Sequence, residues 1–380
     1  MRRAPALTSA LAIALLSIPA IAADACADGP VCMEARTDQQ PTGNRVVPTR
    51  MALEGSVLDV ELPAPVAWVL PDPAAPGRGW IVAEEDGTLR RVSDEGHATV
   101  GQLPPGVAPA AVLRSDGSVS IGDDSEDRLR FDDPLPDARV VRLDDSARAA
   151  LVGPTGRYEH GVLGDGVEAS AVEIVGDGGD GVRMEIEPDA VVEGISPLLA
   201  DVSGDGRAEL LVTVSDEDSG ARLRLYDQAG AIVAESDPIG QGYRWLHQLG
   251  VGPTGPGGET EIIAVRTPHI GGIVEAYRLR DRRLERVATQ PGYSSHLIGS
   301  RNLDMALLAD TDADGSLEVV VPTQAMTALG VLAREGDGFT VLDTLLLDGR
   351  LTSNLAGAVD AEGRLHVAAA TDDGRLRVFR

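Results

Sequence analysis

The chain has 380 residues, 60 of them acidic and 33 basic, for a formal net charge of −27, and every basic residue is arginine. So negative a surface excludes ordinary nucleic-acid binders and proteins that adsorb to anionic membranes. The length alone would suggest two or three domains, but a repeat architecture removes that division.

In chain order, residues 1–22 read as a secretory signal. Arg2 and Arg3 form a charged start, Leu11 to Leu16 a short apolar run, and Ala20-Ile21-Ala22 a small-x-small cleavage site. A secreted or periplasmic protein is therefore expected, and no later stretch is long and apolar enough to span a bilayer. Residues 23–55 read as an N-terminal segment and linker. Its Cys26 and Cys32 are the only cysteines. In an oxidising compartment they are expected to form a disulfide; a metal pair is the alternative.

From about residue 56 the chain repeats. Glycines recur as Gly156, Gly206, Gly255, Gly315 and Gly363, with weaker equivalents near Gly79 and Gly117. After most of these, arginines alternate with apolar residues, as in Ala221-Arg222-Leu223-Arg224-Leu225-Tyr226 and Arg375-Leu376-Arg377-Val378-Phe379. That period of two predicts a strand with one wet face. Seven units of four strands predict a seven-bladed β-propeller spanning 56–380, with an open β-solenoid as the alternative. The last unit runs out after its third strand. Ser56 to Leu62 resembles the outer strand Thr340 to Leu346, so it is expected to complete the last blade and close the ring.

Two units carry chemistry. Asp310-Thr311-Asp312-Ala313-Asp314-Gly315-Ser316-Leu317-Glu318 places carboxylates at positions 1, 3, 5 and 9 and glycine at 6. Ca²⁺ takes six to eight oxygens, which alternate acids on a tight loop supply, with the Ser316 carbonyl at position 7. Unneutralised, each carboxylate pair at ~4 Å would repel by roughly 4 kcal/mol at an effective dielectric of about 20. An EF-hand is excluded: position 12 is Val321, and the flanks read as short buried strands. A second copy comprises Asp201, Ser203, Asp205, Arg207 at position 7 and Glu209; Ser203 in place of a carboxylate predicts a weaker site.

These acidic loops and their apolar flanks resemble the FG-GAP/VCBS repeat family, which builds the propeller of integrin α subunits. The resemblance covers two units. It implies that Asp310, Asp312, Asp314 and Glu318 ligate one structural Ca²⁺, and Asp201, Ser203, Asp205 and Glu209 another. It also implies that these loops join the first and second strands on the lower face, and that partners bind the upper face.

A basic-aromatic cluster stands out in the connections expected on that upper face. It comprises Arg244, Trp245, His247, His269, His296 and Arg301. One reading is a site for an acidic or sugar-like ligand, with the arginines as anion clamps and Trp245 as a stacking face. The other is that these side chains pack between blades. No H-E-x-x-H, G-x-S-x-G or P-loop is present. The sequence therefore favours a non-catalytic binding or scaffold module for a protein or glycan. The alternatives are a polysaccharide-acting enzyme using upper-face His and Arg, and a purely structural envelope subunit.

Overall fold

The computed structural model describes residues 43–47, 49, 52–53, 55–103, 131–144, 147–176 and 181–380. The signal segment, Cys26, Cys32 and Gly117 lie outside the described residues. Every regular element described is a strand, and among the described residues no helix is long and apolar enough to cross a membrane.

In chain order, β1 is Val46–Val47, β2 Val57–Glu61, β3 Val66–Pro71, β4 Gly79–Glu84, β5 Thr88–Ser93 and β6 Gly96–Gln102. Then come β7 Val141–Arg142, β8 Ala147–Thr155, β9 Glu168–Gly176, β10 Gly181–Glu185, β11 Ala190–Val192, β12 Leu198–Ala200, β13 Glu209–Asp216, β14 Gly220–Tyr226 and β15 Ile232–Ser236. The chain continues with β16 Leu246–Pro253, β17 Thr260–Arg266, β18 Ile273–Arg280, β19 Arg283–Pro291, β20 Leu307–Ala309, β21 Glu318–Pro322, β22 Ala328–Glu335 and β23 Gly338–Leu346. It ends with β24 Ala356–Val359, β25 Leu365–Ala370 and β26 Arg375–Phe379.

These strands pair as consecutive antiparallel meanders: β3 to β6, β7 to β10, β11/β12 to β15, β16 to β19, β20 to β23, and β24 to β26. The central strands are buried on both faces, as in Glu318–Pro322 and Leu365–Ala370. That is why they read as continuous apolar runs rather than alternating ones. Apolar clusters tie neighbouring sheets together. One joins Leu307, Val320 and Leu329 to Leu355, Leu365 and Val367, and another joins Val69, Trp80 and Val82 to Ala368 and Val378. Four-stranded antiparallel sheets stacked about one axis have the architecture of a β-propeller.

β2 pairs antiparallel with β26, from Val57↔Phe379 to Glu61↔Arg375. A strand from near the start of the described chain thus completes the last sheet. Residues 43–47, within the stretch read from sequence as linker, also belong to the fold. β1 pairs in parallel with β20, Val46↔Leu308 and Val47↔Ala309. Asn44 exchanges hydrogen bonds with both backbone groups of Val251. Its polar neighbours hid this strand, because two residues are too few to show a period.

Two further expectations are corrected. Gly156 lies between β8 and β9, the second and third strands of its sheet, whereas Gly206, Gly255, Gly315 and Gly363 lie between first and second strands. The first strand of that sheet is short and broken, so the repeat spacing slips onto the next turn. Not all of the alternating arginines face water either. Arg224 and Arg377 are buried; Arg377 is bonded in bidentate fashion to Asp59 of β2 at 2.6 and 2.7 Å, and Arg224 to Glu187 and Glu235. The polar faces of β14 and β26 are ion-paired seams.

Innermost strands are interrupted at their upper ends. Single bridges Pro134↔Val152, Tyr293↔Thr323 and Leu351↔Thr371 precede a looped-out segment and then the strand proper. The loop-outs carry Arg139, Asp304 and Asn354 to the axis. Bulges re-aim side chains in this way.

Candidate functional site

The lower face is made by the loops joining first to second strands. In the β20–β21 loop, one carboxylate oxygen each from Asp310, Asp312 and Asp314 lies within 4.8 Å of the others. Backbone geometry converges them. Asp310 Oδ1 accepts from Asp314 N at 3.1 Å and Oδ2 from Gly315 N at 3.0 Å, winding the loop around the first acid. Ser316 N donates to Asp314 Oδ1 at 2.7 Å. Gly315 has φ +93°, and Ala313 is left-handed at +63°, a conformation that costs an alanine roughly 1 kcal/mol. Glu318 does not join the three. Its Oε2 accepts from Thr311 N and Oγ1, both at 2.7 Å. Burial, with Asp312 and Asp314 nearby, pushes its carboxyl up to about 7.

The β12–β13 loop repeats the winding with one exchange. Asp201 accepts from Gly204 N, Asp205 N and Gly206 N, and Arg207 N donates to Asp205 Oδ1. Here Glu209 converges with Asp201 and Asp205. Ser203 Oγ bonds Glu209 Oε1 at 2.6 Å, so its hydroxyl orients the glutamate. Each loop thus offers three converging carboxylates, not the four of the sequence pattern in the first and with Ser203 indirect in the second. Both donor sets are hard oxygens, which fit Ca²⁺.

On the upper face Trp245, His247 and His296 are packed and buried, His269 and Arg244 are half-buried, and Arg301 is exposed. Trp245 stacks on His247 at 4.6 Å between centroids and donates its indole N–H to Glu193 O at 3.2 Å. His247 Nδ1 meets Ser295 Oγ at 2.8 Å. His296 Nε2 faces the Ser300 carbonyl at 2.7 Å, so Nε2 carries the proton and Nδ1 accepts from His269 Nε2 at 2.8 Å. Burial pushes both His269 and His296 down to about 4, so both are neutral at pH 7. Arg301 is bonded to Asp137 at 2.7 Å and to Asp165, which spends its charge. Arg244 donates to the Tyr243 carbonyl. Trp245 thus offers no open stacking face, and of the two arginines only Arg244 lacks an acidic partner among the described residues.

Sequence reasoning missed what these loops do expose. Ile298 and Ile270 are 72% and 61% accessible, among the most exposed large apolar side chains described, and Tyr243 is 38% accessible. The loops carrying the two isoleucines are locked together by the His269–His296 bond and by Ser294 Oγ donating to Pro268 O at 2.8 Å. Beside them lies a carboxylate network also unseen in sequence. Buried Glu193 bonds His160 Nδ1 and Ser215 Oγ, each at 2.5 Å. Burial and Glu193 push the Glu168 carboxyl up to about 9. These residues are far apart in sequence, and no local motif announces them.

No family model matches the chain, and no curated protein matches it. Solved structures do. The β-propeller domain of Cps50 (Swd1) from Myceliophteria thermophila matches with TM-score 0.47 at 12% identity, over 85% of this chain and 99% of that one. BBS1N, solved in complex with ARL6DN, matches with TM-score 0.49 at 12% identity, over 87% and 97%. Raptor from Chaetomium thermophilum matches with TM-score 0.43 at 12% identity, over 90% of this chain and 30% of that one.

Proposed function

We propose that the chain is a secreted or periplasmic, seven-bladed β-propeller of FG-GAP/VCBS type that acts as a non-catalytic scaffold, holding a protein partner on its upper face. β2 completes the last blade. Ca²⁺ at the Asp310–Asp312–Asp314 and Asp201–Asp205–Glu209 clusters steadies the lower hairpins. It would neutralise carboxylates that have no partner cation among the described residues.

The observation that carries the reading is the pair Ile270 and Ile298, held in water by two mutually bonded loops. Exposed apolar side chains on a rigid support suit a protein contact better than a sugar, which needs open stacking faces and polar groups. The buried histidines support the loops. Neutral and bonded to each other, His269 and His296 are spent on that support.

The test compares captured proteins from an envelope extract using immobilised wild type, Ile270→Asp/Ile298→Asp and Asp312→Ala. The proposal expects a partner that is lost at least tenfold with the double isoleucine variant and retained by Asp312→Ala. Capture unchanged by the isoleucine substitutions would overturn it. Saturable binding of an isolated glycan that needs Arg244 or His269 would redirect it to the sugar reading.

A further inference from the structure

The apolar ridge of Ile270 and Ile298 has a charged end. Three upper-face loops are locked in series: Thr267 N donates to Trp245 O at 2.8 Å, and the His269–His296 bond joins the Ile270 loop to the Ile298 loop. At the head of the series stands Tyr243. Its ring stacks on buried Tyr158, 5.1 Å between centroids, and its backbone N–H donates to the Tyr158 hydroxyl at 3.0 Å. Tyr243 is left-handed, φ +54°, an unfavourable conformation for a residue with a side chain. The loop holds this ring at the surface all the same.

Two carboxylates flank the phenol. Its hydroxyl donates to Glu217, and that bond, with the charge of Glu159 nearby, pushes the phenol up. Glu159, Glu217 and the adjoining Asp218 are exposed, and none has an Arg or His partner among the described residues. The neighbouring guanidiniums are turned to carbonyl oxygens instead: Arg157 to those of Ala190 and Glu187, Arg244 to that of Tyr243. Two carboxylates beside an aromatic ring suit a planar cation. A guanidinium bonds both through its fork of N–H groups while its plane lies along the ring. A hard divalent ion needs six or more oxygens, which this end does not gather, and an anion is repelled.

We propose that the partner held on this face presents an arginine to Glu159 and Glu217 beside Tyr243, and apolar side chains to Ile270 and Ile298. This rests on the reading of the upper face as a protein-binding surface and adds the chemistry that the surface selects. The net charge of −27 steers a basic segment in the same direction.

The test pans a randomised peptide library on the immobilised full chain and measures the enriched peptides by fluorescence anisotropy. Enriched sequences are expected to carry arginine beside aliphatic or aromatic residues. Glu159→Gln/Glu217→Gln should weaken them about tenfold, a loss that shrinks in high salt. Changing the peptide's arginine to lysine should weaken binding about threefold. Both glutamates are exposed, so an unchanged melting temperature shows that the variant is folded. Ile270→Ser/Ile298→Ser should weaken the same peptides by a similar factor. Arginine peptides that bind the glutamine variant as tightly as wild type, or enrichment of acidic or uncharged sequences, would overturn the proposal while the apolar contact stands. Binding that ignores the isoleucine substitutions as well would sink the reading it rests on. A library that yields no binder also overturns the proposal; self-association in sedimentation equilibrium, lost in Ile270→Ser/Ile298→Ser, would then assign the face to a second copy of the chain.

Discussion

The lower hairpins of the last two sheets face the same problem and differ in its solution. In the β24–β25 hairpin, buried Asp360 accepts from Glu362 N, Arg364 N, Arg364 Nε and His366 Nε2, at 2.9 to 3.0 Å. Despite burial, the His366 and Arg364 bonds hold its carboxyl well below the usual carboxylate range. In the β20–β21 hairpin, Asp310, Asp312 and Asp314 converge with no Arg or His of the described residues bonded to them. One hairpin has its cation built into the chain. The other gathers oxygens with none, which is where an external ion would act. A third answer stands on the upper face, where Glu168 beside Glu193 relieves crowding by keeping its proton.

The largest expected effect breaks the built-in cation. Arg364→Met with His366→Phe strands the Asp360 carboxylate, and loss of both partners should cost about 3 kcal/mol. Urea unfolding measures it, and added Ca²⁺ should not restore the loss. The same unfolding in Asp312→Ala should show a loss only when Ca²⁺ is present.

Glu168 sharpens the protonation answer. Its folded value, about 9, lies above the unfolded 4.5. The folded state therefore holds the proton longer, and stability falls as pH rises from 4.5 towards 9. On the order of 3 kcal/mol is lost by pH 7. Glu168→Gln should flatten that slope and match wild type near pH 4.5; parallel pH profiles would contradict it. The histidines act with the opposite sign. His269 and His296, at about 4 when folded, favour protons in the unfolded chain, so stability drops as pH falls from 6.5 towards 4. Replacing His269 by Gln should reduce that acid loss by on the order of 1 kcal/mol.

The smallest effect separates the two acidic loops. Ala313 is left-handed at the position where the other loop has Gly204, φ +76°. Ala313→Gly should stabilise by about 0.5–1 kcal/mol and Gly204→Ala should destabilise by at least as much.

Much of this was readable in advance where the signal is local. The Asp310 and Asp201 loops show their winding, glycine placement and flanking strands within nine residues. Ser56 to Leu62 is long enough to carry a strand pattern. What failed to show depends on distance. Arg45, Arg139 and Asp304 meet only because separate strands bulge towards one axis, and His160, Glu193 and Ser215 only because two sheets abut. Trp245 and His296 looked like a ligand site because composition cannot say which way a side chain turns. Arg224 and Arg377 looked solvated because a period of two marks a polar face without saying what covers it.

The most direct measurement is a Ca²⁺ titration of chelator-treated protein, read by melting temperature, in wild type, Asp312→Ala and Arg364→Met. Wild type should rise saturably, by up to about 4 kcal/mol of added stability at a thousandfold excess over Kd. Asp312→Ala should lose most of that rise, and Arg364→Met should start lower yet keep it whole. A flat wild-type titration, or an undiminished rise in Asp312→Ala, would contradict the account.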